Sequence, residues 1–139
     1  MTERTTATPE RAADASWAVE HFRKFWSAPD PTGPTPHLSP EIVGCWPDGR
    51  VLEGIDEYRE RLINIGRVIP DIRLEVLEHA VNGELAFIRW QARGTGQNGP
   101  LEIIGIDRLR VRGDQITENA ICFDTATFEA QVGVPLSST

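Results

Sequence analysis

Residues 101–124, LEIIGIDRLRVRGDQITENAICFD, read as two strands joined by a tight turn at Arg112-Gly113-Asp114-Gln115. Strand side chains alternate between two faces. Leu101, Ile103, Gly105, Asp107, Leu109 and Val111 share one face of the first strand, and Glu102, Ile104, Ile106, Arg108 and Arg110 share the other. The first face is apolar apart from one carboxylate at its middle. An ionised carboxylate buried without a partner is costly, so such a residue is paired, protonated or at work. Asp107 is therefore the candidate catalytic residue around which the chain is read.

Upstream, Asp14 or Ser16 can cap a helix running to about residue 27, with Ala18, Phe22, Phe25 and Trp26 as its apolar stripe. Prolines 29, 31, 34, 36 and 40 exclude a long helix and imply an irregular loop. A short strand over 42–46 ends at Pro47-Asp48-Gly49. The spacing then predicts a helix over 55–66, with Ile55, Tyr58, Leu62 and Ile65 buried and Asp56, Glu57, Arg59, Glu60 and Arg61 solvated. A strand over 72–80, a hairpin turn at Asn82-Gly83, a strand over 85–93 and a loop over 94–100 lead into the opening stretch. A short helix over 126–132 follows it. Helices grouped early and strands late predict an α+β fold, with the N-terminal helices against the concave face of a curved antiparallel or mixed sheet that can bend into a cone. Residues 1–13 read as a mobile tail, 14–132 as one domain and 133–139 as a C-terminal tail.

The 139 residues carry a formal net charge of -7, which argues against a nucleic-acid surface. No apolar run approaches the roughly 20 residues of a membrane span. The N-terminus lacks the apolar core of a secretory signal, so a cytoplasmic location is expected. Cys45 and Cys122 are expected to be buried free thiols. Zinc-like spacing, a Gly-rich phosphate loop and a GxSxG motif are all absent from the sequence, so neither a metal nor a cofactor is expected.

The order of elements resembles the cone-shaped fold of nuclear transport factor two, the ketosteroid isomerases, limonene epoxide hydrolase and the SnoaL-like polyketide cyclases. Three patterns carry the resemblance. One is Trp46-Pro47-Asp48-Gly49 with Leu52-Glu53-Gly54-Ile55-Asp56-Glu57-Tyr58, ahead of a helix. Another is Gly105-Ile106-Asp107-Arg108-Leu109-Arg110 running on to Gly113-Asp114-Gln115-Ile116-Thr117-Glu118, similar to the SnoaL-like G-x-D-x-x-R-x-x-d-G-k-I-x-E. The last is Phe123-Asp124 before a short amphipathic end. The resemblance implies a concave cavity and, at Asp107, a carboxyl that either donates to an oxyanion or serves as general acid/base in an aldol closure. It also exposes departures. Trp46 stands where the isomerases keep their base, and Phe22 where they keep an oxyanion tyrosine. Of the epoxide hydrolase set, matched by Arg89, Gln91 and Ile121, only the arginine survives.

If Leu85, Phe87, Arg89 and Gln91 face the cavity, Arg89 is expected to reach Asp107 as its catalytic partner. Gln91 and Asn119 would then orient a ligand, with Ile121 and Phe123 on the same side of the last strand. Phe22, Trp26, Trp46 and Phe87 would supply an aromatic wall. A buried Arg89–Asp107 ion pair that only fixes strand register is the competing reading. The other face, with Ile88, Trp90, Ala92, Ile104 and Ile106, is expected to join two copies sheet to sheet. The function expected from the resemblance is a small cofactor-independent cyclase or isomerase acting on a hydrophobic, polyketide-like carbonyl compound. A non-catalytic ligand-binding or protein-interaction domain stays open, as does a hydrolase or lyase using Asp107 with a bound water.

Overall fold

The hairpin of residues 101–124 lies inside a six-stranded sheet in the computed structural model, which describes residues 14–139. The expected tail over 1–13 lies outside the described residues. The elements run α1 (Ser16–Ser27), β1 (Leu38–Cys45), β2 (Val51–Glu53), α2 (Ile55–Val68), β3 (Arg73–Asn82), β4 (Leu85–Gly96), β5 (Gly99–Arg112), β6 (Gln115–Cys122) and α3 (Thr125–Val132). The sheet order is β2-β1-β6-β5-β4-β3. Only β1 and β6 pair in parallel, so the curved sheet is mixed and the class is α+β, as the element order predicts. α1 packs on β3, α2 on β1 and α3 on β5, and Phe22, Tyr58 and Phe128, one from each helix, line one cavity with Ile103 and Leu109 of β5, so the three helices share a face of the sheet. No helix among the described residues is long and apolar enough to cross a membrane.

Several expectations are corrected. Residues 94–100 form no open loop: β4 and β5 run on until Gly96 pairs with Gly99 across a turn at Gln97-Asn98. The glycines that suggest a loop are there because neighbours press on the strand. A Cβ on Gly94 would lie 2.5 Å from Ile69 Cγ2, and one on Gly96 would lie 2.8 Å from Val132 Cα. Cys45 and Cys122 are exposed, since both point to the outer face of the sheet. Residues 133–139 are no free tail either. Gly133 closes α3 in the left-handed region, and a 3-10 turn over Leu136–Ser138 buries Leu136 against the domain.

Arg61 is the largest correction. Its expected solvated position on α2 is fully buried. The guanidinium donates to Asp48 Oδ2 at 2.9 Å, to the Leu136 carbonyl at 2.7 Å and to Thr139 Oγ1 at 3.3 Å. Its carbon sits 4.6 Å from the centroid of the Trp46 ring. One cation thus fastens the turn after β1, the C-terminal segment and an indole together.

Candidate functional site

The inner face of β5 is the one read from the sequence: Leu101, Ile103, Asp107, Leu109 and Val111 are all buried. It forms the floor of a cavity of about 1090 Å³ including its open mouth. α1 contributes Phe22 and Trp26 to the walls, and Trp46 and Tyr58 close another side. Asn119, Ile121 and Phe123 come from β6 and the residue just beyond it. The Pro-rich loop also lines the cavity, through Pro31, Pro34 and Thr35. Arg59 straps that loop down, donating to the Gly33 carbonyl at 3.1 Å and to Thr35 Oγ1 at 2.7 Å.

The strand register decides who meets Asp107. Ile88 pairs with Asp107, Trp90 with Gly105 and Ala92 with Ile103. Directly paired residues share a face, so the even-numbered side chains of β4 are the inner ones. A shift by one residue turns every side chain over. Arg89, Gln91 and Phe87, expected in the cavity, therefore point outward. Arg89 lies 3.5 Å from Glu78 there, with both side chains largely exposed, and Phe87 is exposed. The reason is energetic. Ala86, Ile88, Trp90 and Ala92 are apolar without exception, whereas the odd set would bury a guanidinium and an amide. Ile88, Trp90 and Ala92 accordingly leave the proposed outer patch.

Trp90, absent from the expected site, takes the place given to Arg89. Its indole Nε1–H donates to Asp107 Oδ1 at 2.8 Å, and Asn119 Nδ2 donates to Oδ2 at 3.0 Å. Gly105 makes this possible. A Cβ there would stand 2.5 Å from Trp90 Cζ2 and Cη2, so only glycine lets the indole cross β5 to the carboxyl. A glycine inside an otherwise apolar strand was the available signal for such an approach. Tyr58, which the helical pattern of α2 marks only as core, also lines the cavity. Gly44 gives it room, since a Cβ at that position would lie 3.0 Å from Tyr58 Cδ1.

Asp107 is 5% exposed, and burial raises its pKa from 3.8 to about 6. The hydrogen bonds from Asn119 and Trp90 pull the other way without cancelling the burial. Tyr58 is buried too, and burial reinforced by the Asp107 charge holds its phenol protonated far above the usual range. The site thus offers a carboxyl that exchanges a proton near neutrality beside a phenol that keeps its own.

The raised pKa has a consequence for stability. The native state holds the Asp107 proton more tightly than the unfolded chain, so this contribution is complete below pH 3.8 and is lost as pH rises through about 6. Above that, the ionised buried carboxyl costs of the order of 2–3 kcal/mol. Asp107→Asn is expected to recover roughly that amount near pH 8 and little near pH 4. Urea unfolding of both proteins at the two pH values checks it.

The α+β cone is the nuclear transport factor two-like fold, shared with solved structures described as ketosteroid isomerase-like and nuclear transport factor two-like. Within it, the model of the SnoaL-like domain matches residues 19–119, and the chain belongs to that family. Solved structures share the architecture at low identity. A hypothetical protein from Catenulispora acidiphila with a ketosteroid isomerase-like fold is 17% identical, with a TM-score of 0.74 over 87% of this chain and 95% of that one. IdmH from Streptomyces antibioticus, a candidate polyketide cyclase, is 21% identical, with a TM-score of 0.73 over 86% and 98%. A candidate polyketide cyclase from Bacillus cereus is 24% identical, with a TM-score of 0.72 over 85% and 79%. No curated protein matches the sequence.

Proposed function

We propose that the protein is a cofactor-independent cyclase or isomerase in which Asp107 moves a proton on or off a carbon next to a carbonyl group. The carrying observation is the Asp107 carboxyl itself, buried in an aromatic cavity with its pKa lifted to about 6. As carboxylate it takes the proton. As acid it returns one, and the Tyr58 hydroxyl donates to the oxygen on which charge develops. Trp90 and Asn119 hold the carboxyl in a fixed plane for both steps. The substrate class is a flat, hydrophobic carbonyl compound of the polyketide type, matched to walls of Phe22, Trp26, Trp46, Ile121 and Phe123. Supporting this reading, IdmH and the Bacillus cereus protein are candidate polyketide cyclases of the same fold. The test is hydrogen–deuterium exchange at the α-carbon of 2-tetralone, a bicyclic ketone, followed by NMR in D2O. Acceleration above the buffer rate that depends on Asp107 supports the proposal, and the buffer rate alone sinks it.

We also propose that the outer sheet face joins two copies of the chain. Phe87, Ile104 and Ile106 are exposed there on adjacent strands. Around them stand arginines and glutamates in pairs, Arg89–Glu78, Arg93–Glu102 and Arg108–Glu118, a mixture of signs that can meet its own copy. Ile106→Arg is expected to convert a dimer of twice 15.5 kDa into a monomer in light scattering. A monomeric parent protein would exclude the interface.

A further inference from the structure

One acid and one guanidinium line the cavity, and they do not pair with each other. Asp107 takes its hydrogen bonds from Trp90 and Asn119, whereas Arg59 of α2 gives its own to neutral acceptors, the Gly33 carbonyl and Thr35 Oγ1. This sets Arg59 apart. Of the other arginines that are at least partly buried, Arg61 bonds to Asp48, Arg108 to Glu118 and Arg110 to Glu84. Arg59 has no carboxylate partner among the described residues, in a chain whose formal net charge is -7. Asp30, the acid of the loop that Arg59 holds, is bonded to Thr32 instead. The field on the α1 side of the cavity is positive as well. His21, another lining residue, is held below its ordinary pKa by burial and by the charges of His37 and Lys24.

A cation beside an apolar hollow has lost solvation that an anion restores. Arg59 and Thr35 both line the cavity and are only partly buried, so neither is sealed off from a ligand. The guanidinium fork carries more N–H donors than its two bonds to the loop use, and its planar shape suits the paired oxygens of a carboxylate. Thr35 Oγ1 accepts from Arg59, which leaves the hydroxyl proton to donate to the same anion. At the other polar group of the cavity an anion is unwelcome, because Asp107 is itself ionised above about pH 6. We infer that Arg59 and Thr35 form a carboxylate-binding subsite, and that the ligand is a planar apolar molecule bearing a carboxylate at the end that does not face Asp107. This rests on the cavity being the substrate site, as proposed above, but not on any proton transfer by Asp107.

Equilibrium dialysis with 2-naphthoate, 2-naphthamide and naphthalene at about pH 7.5, where Asp107 is ionised, tests the inference. The parent protein is expected to bind 2-naphthoate about fivefold to tenfold tighter than 2-naphthamide, which has the same shape without the charge. That margin should shrink severalfold between about 20 mM and about 500 mM sodium chloride. Arg59→Gln, whose amide still donates to the loop, is expected to abolish the margin and to leave naphthalene nearly unchanged. Arg59→Lys keeps the charge without the fork and should retain part of the margin. Equal binding of naphthoate and naphthamide by the parent protein overturns the inference without any variant, and is the result expected of an arginine that only straps the loop. So does a margin that survives Arg59→Gln but disappears in Asp107→Asn, since the carboxyl group would then sit on Asp107. If Arg59→Gln loses naphthalene as well, the loop has come away, and Arg59→Lys decides: naphthalene bound there without any margin overturns the inference. A naphthoate preference in a parent protein that does not exchange tetralone protons would leave the subsite standing and remove the enzymatic reading. Exchange without the preference would remove the subsite alone.

Discussion

Asp107→Asn is expected to reduce the exchange of 2-tetralone α-protons by at least about 10²-fold while the protein stays folded and still binds the ketone. The substitution suits the question because it is nearly isosteric. The Asn oxygen can still accept from Trp90 Nε1, and its amide can donate to Asn119 once that side chain turns over. What disappears is the ability to carry a proton. The pH profile supplies an independent check. Only the carboxylate can abstract a proton, so the parent rate should climb with pH, bend near 6 and level off above it. Tyr58→Phe should lower the plateau and leave the bend near its place, because the phenol stays protonated throughout this range. A bend near the ordinary aspartate value would mean that the reacting carboxyl is not the buried one. Full activity in Asp107→Asn would remove Asp107 from the chemistry.

This loss and the expected gain in stability of the same variant near pH 8 have one cause. A carboxyl poised to exchange a proton near neutrality is a carboxyl the fold would rather not ionise. The energy that lifts its pKa is the energy withdrawn from the native state above about pH 6. Measuring both on one variant tests that link. A catalytic loss without stabilisation would indicate that Asp107 is better solvated in the free protein than its 5% exposure implies.

The sequence disclosed the fold and half of this site. Strand alternation over 101–111 put Asp107 on the buried face without ambiguity, since every neighbour on that face is apolar or glycine. Asn119, Ile121 and Phe123 followed from the same alternation along β6 and just past it. On β4 the pattern was as clear, with Ala86, Ile88, Trp90 and Ala92 against Phe87, Arg89 and Gln91. The polar set offers a chemical partner for Asp107, but burial favours the apolar one. The partner turned out to be an indole N–H, a donor that reads as core. Gly105 and Gly44 were the remaining clues, because each glycine marks where an aromatic ring overlies a strand. Arg61 could not be placed from local pattern. A helix of alternating acids and arginines looks solvated on three sides, and the groups that bury this one come from Asp48 and from Leu136 and Thr139, far along the chain.

Arg61→Ala is accordingly expected to destabilise the fold by about 3–4 kcal/mol, well beyond the cost of a surface arginine. Three losses combine. Asp48, partly buried, would no longer have the cation that holds its pKa down against the effect of burial. The Leu136 carbonyl and Thr139 Oγ1 would each lose a charged donor. The Trp46 ring would lose the guanidinium stacked on it. Lysine cannot substitute, because a point charge does not span three acceptors and an aromatic face together. Chemical denaturation of Arg61→Ala, Asp48→Ala and the double variant would show the coupling: the pair should cost clearly less than the sum of the two single changes. Strict additivity would mean that the bridge carries little of the effect. Because Trp46 is a wall of the cavity, the same variant should also weaken binding of flat aromatic ligands by a few-fold, even under conditions where it remains folded.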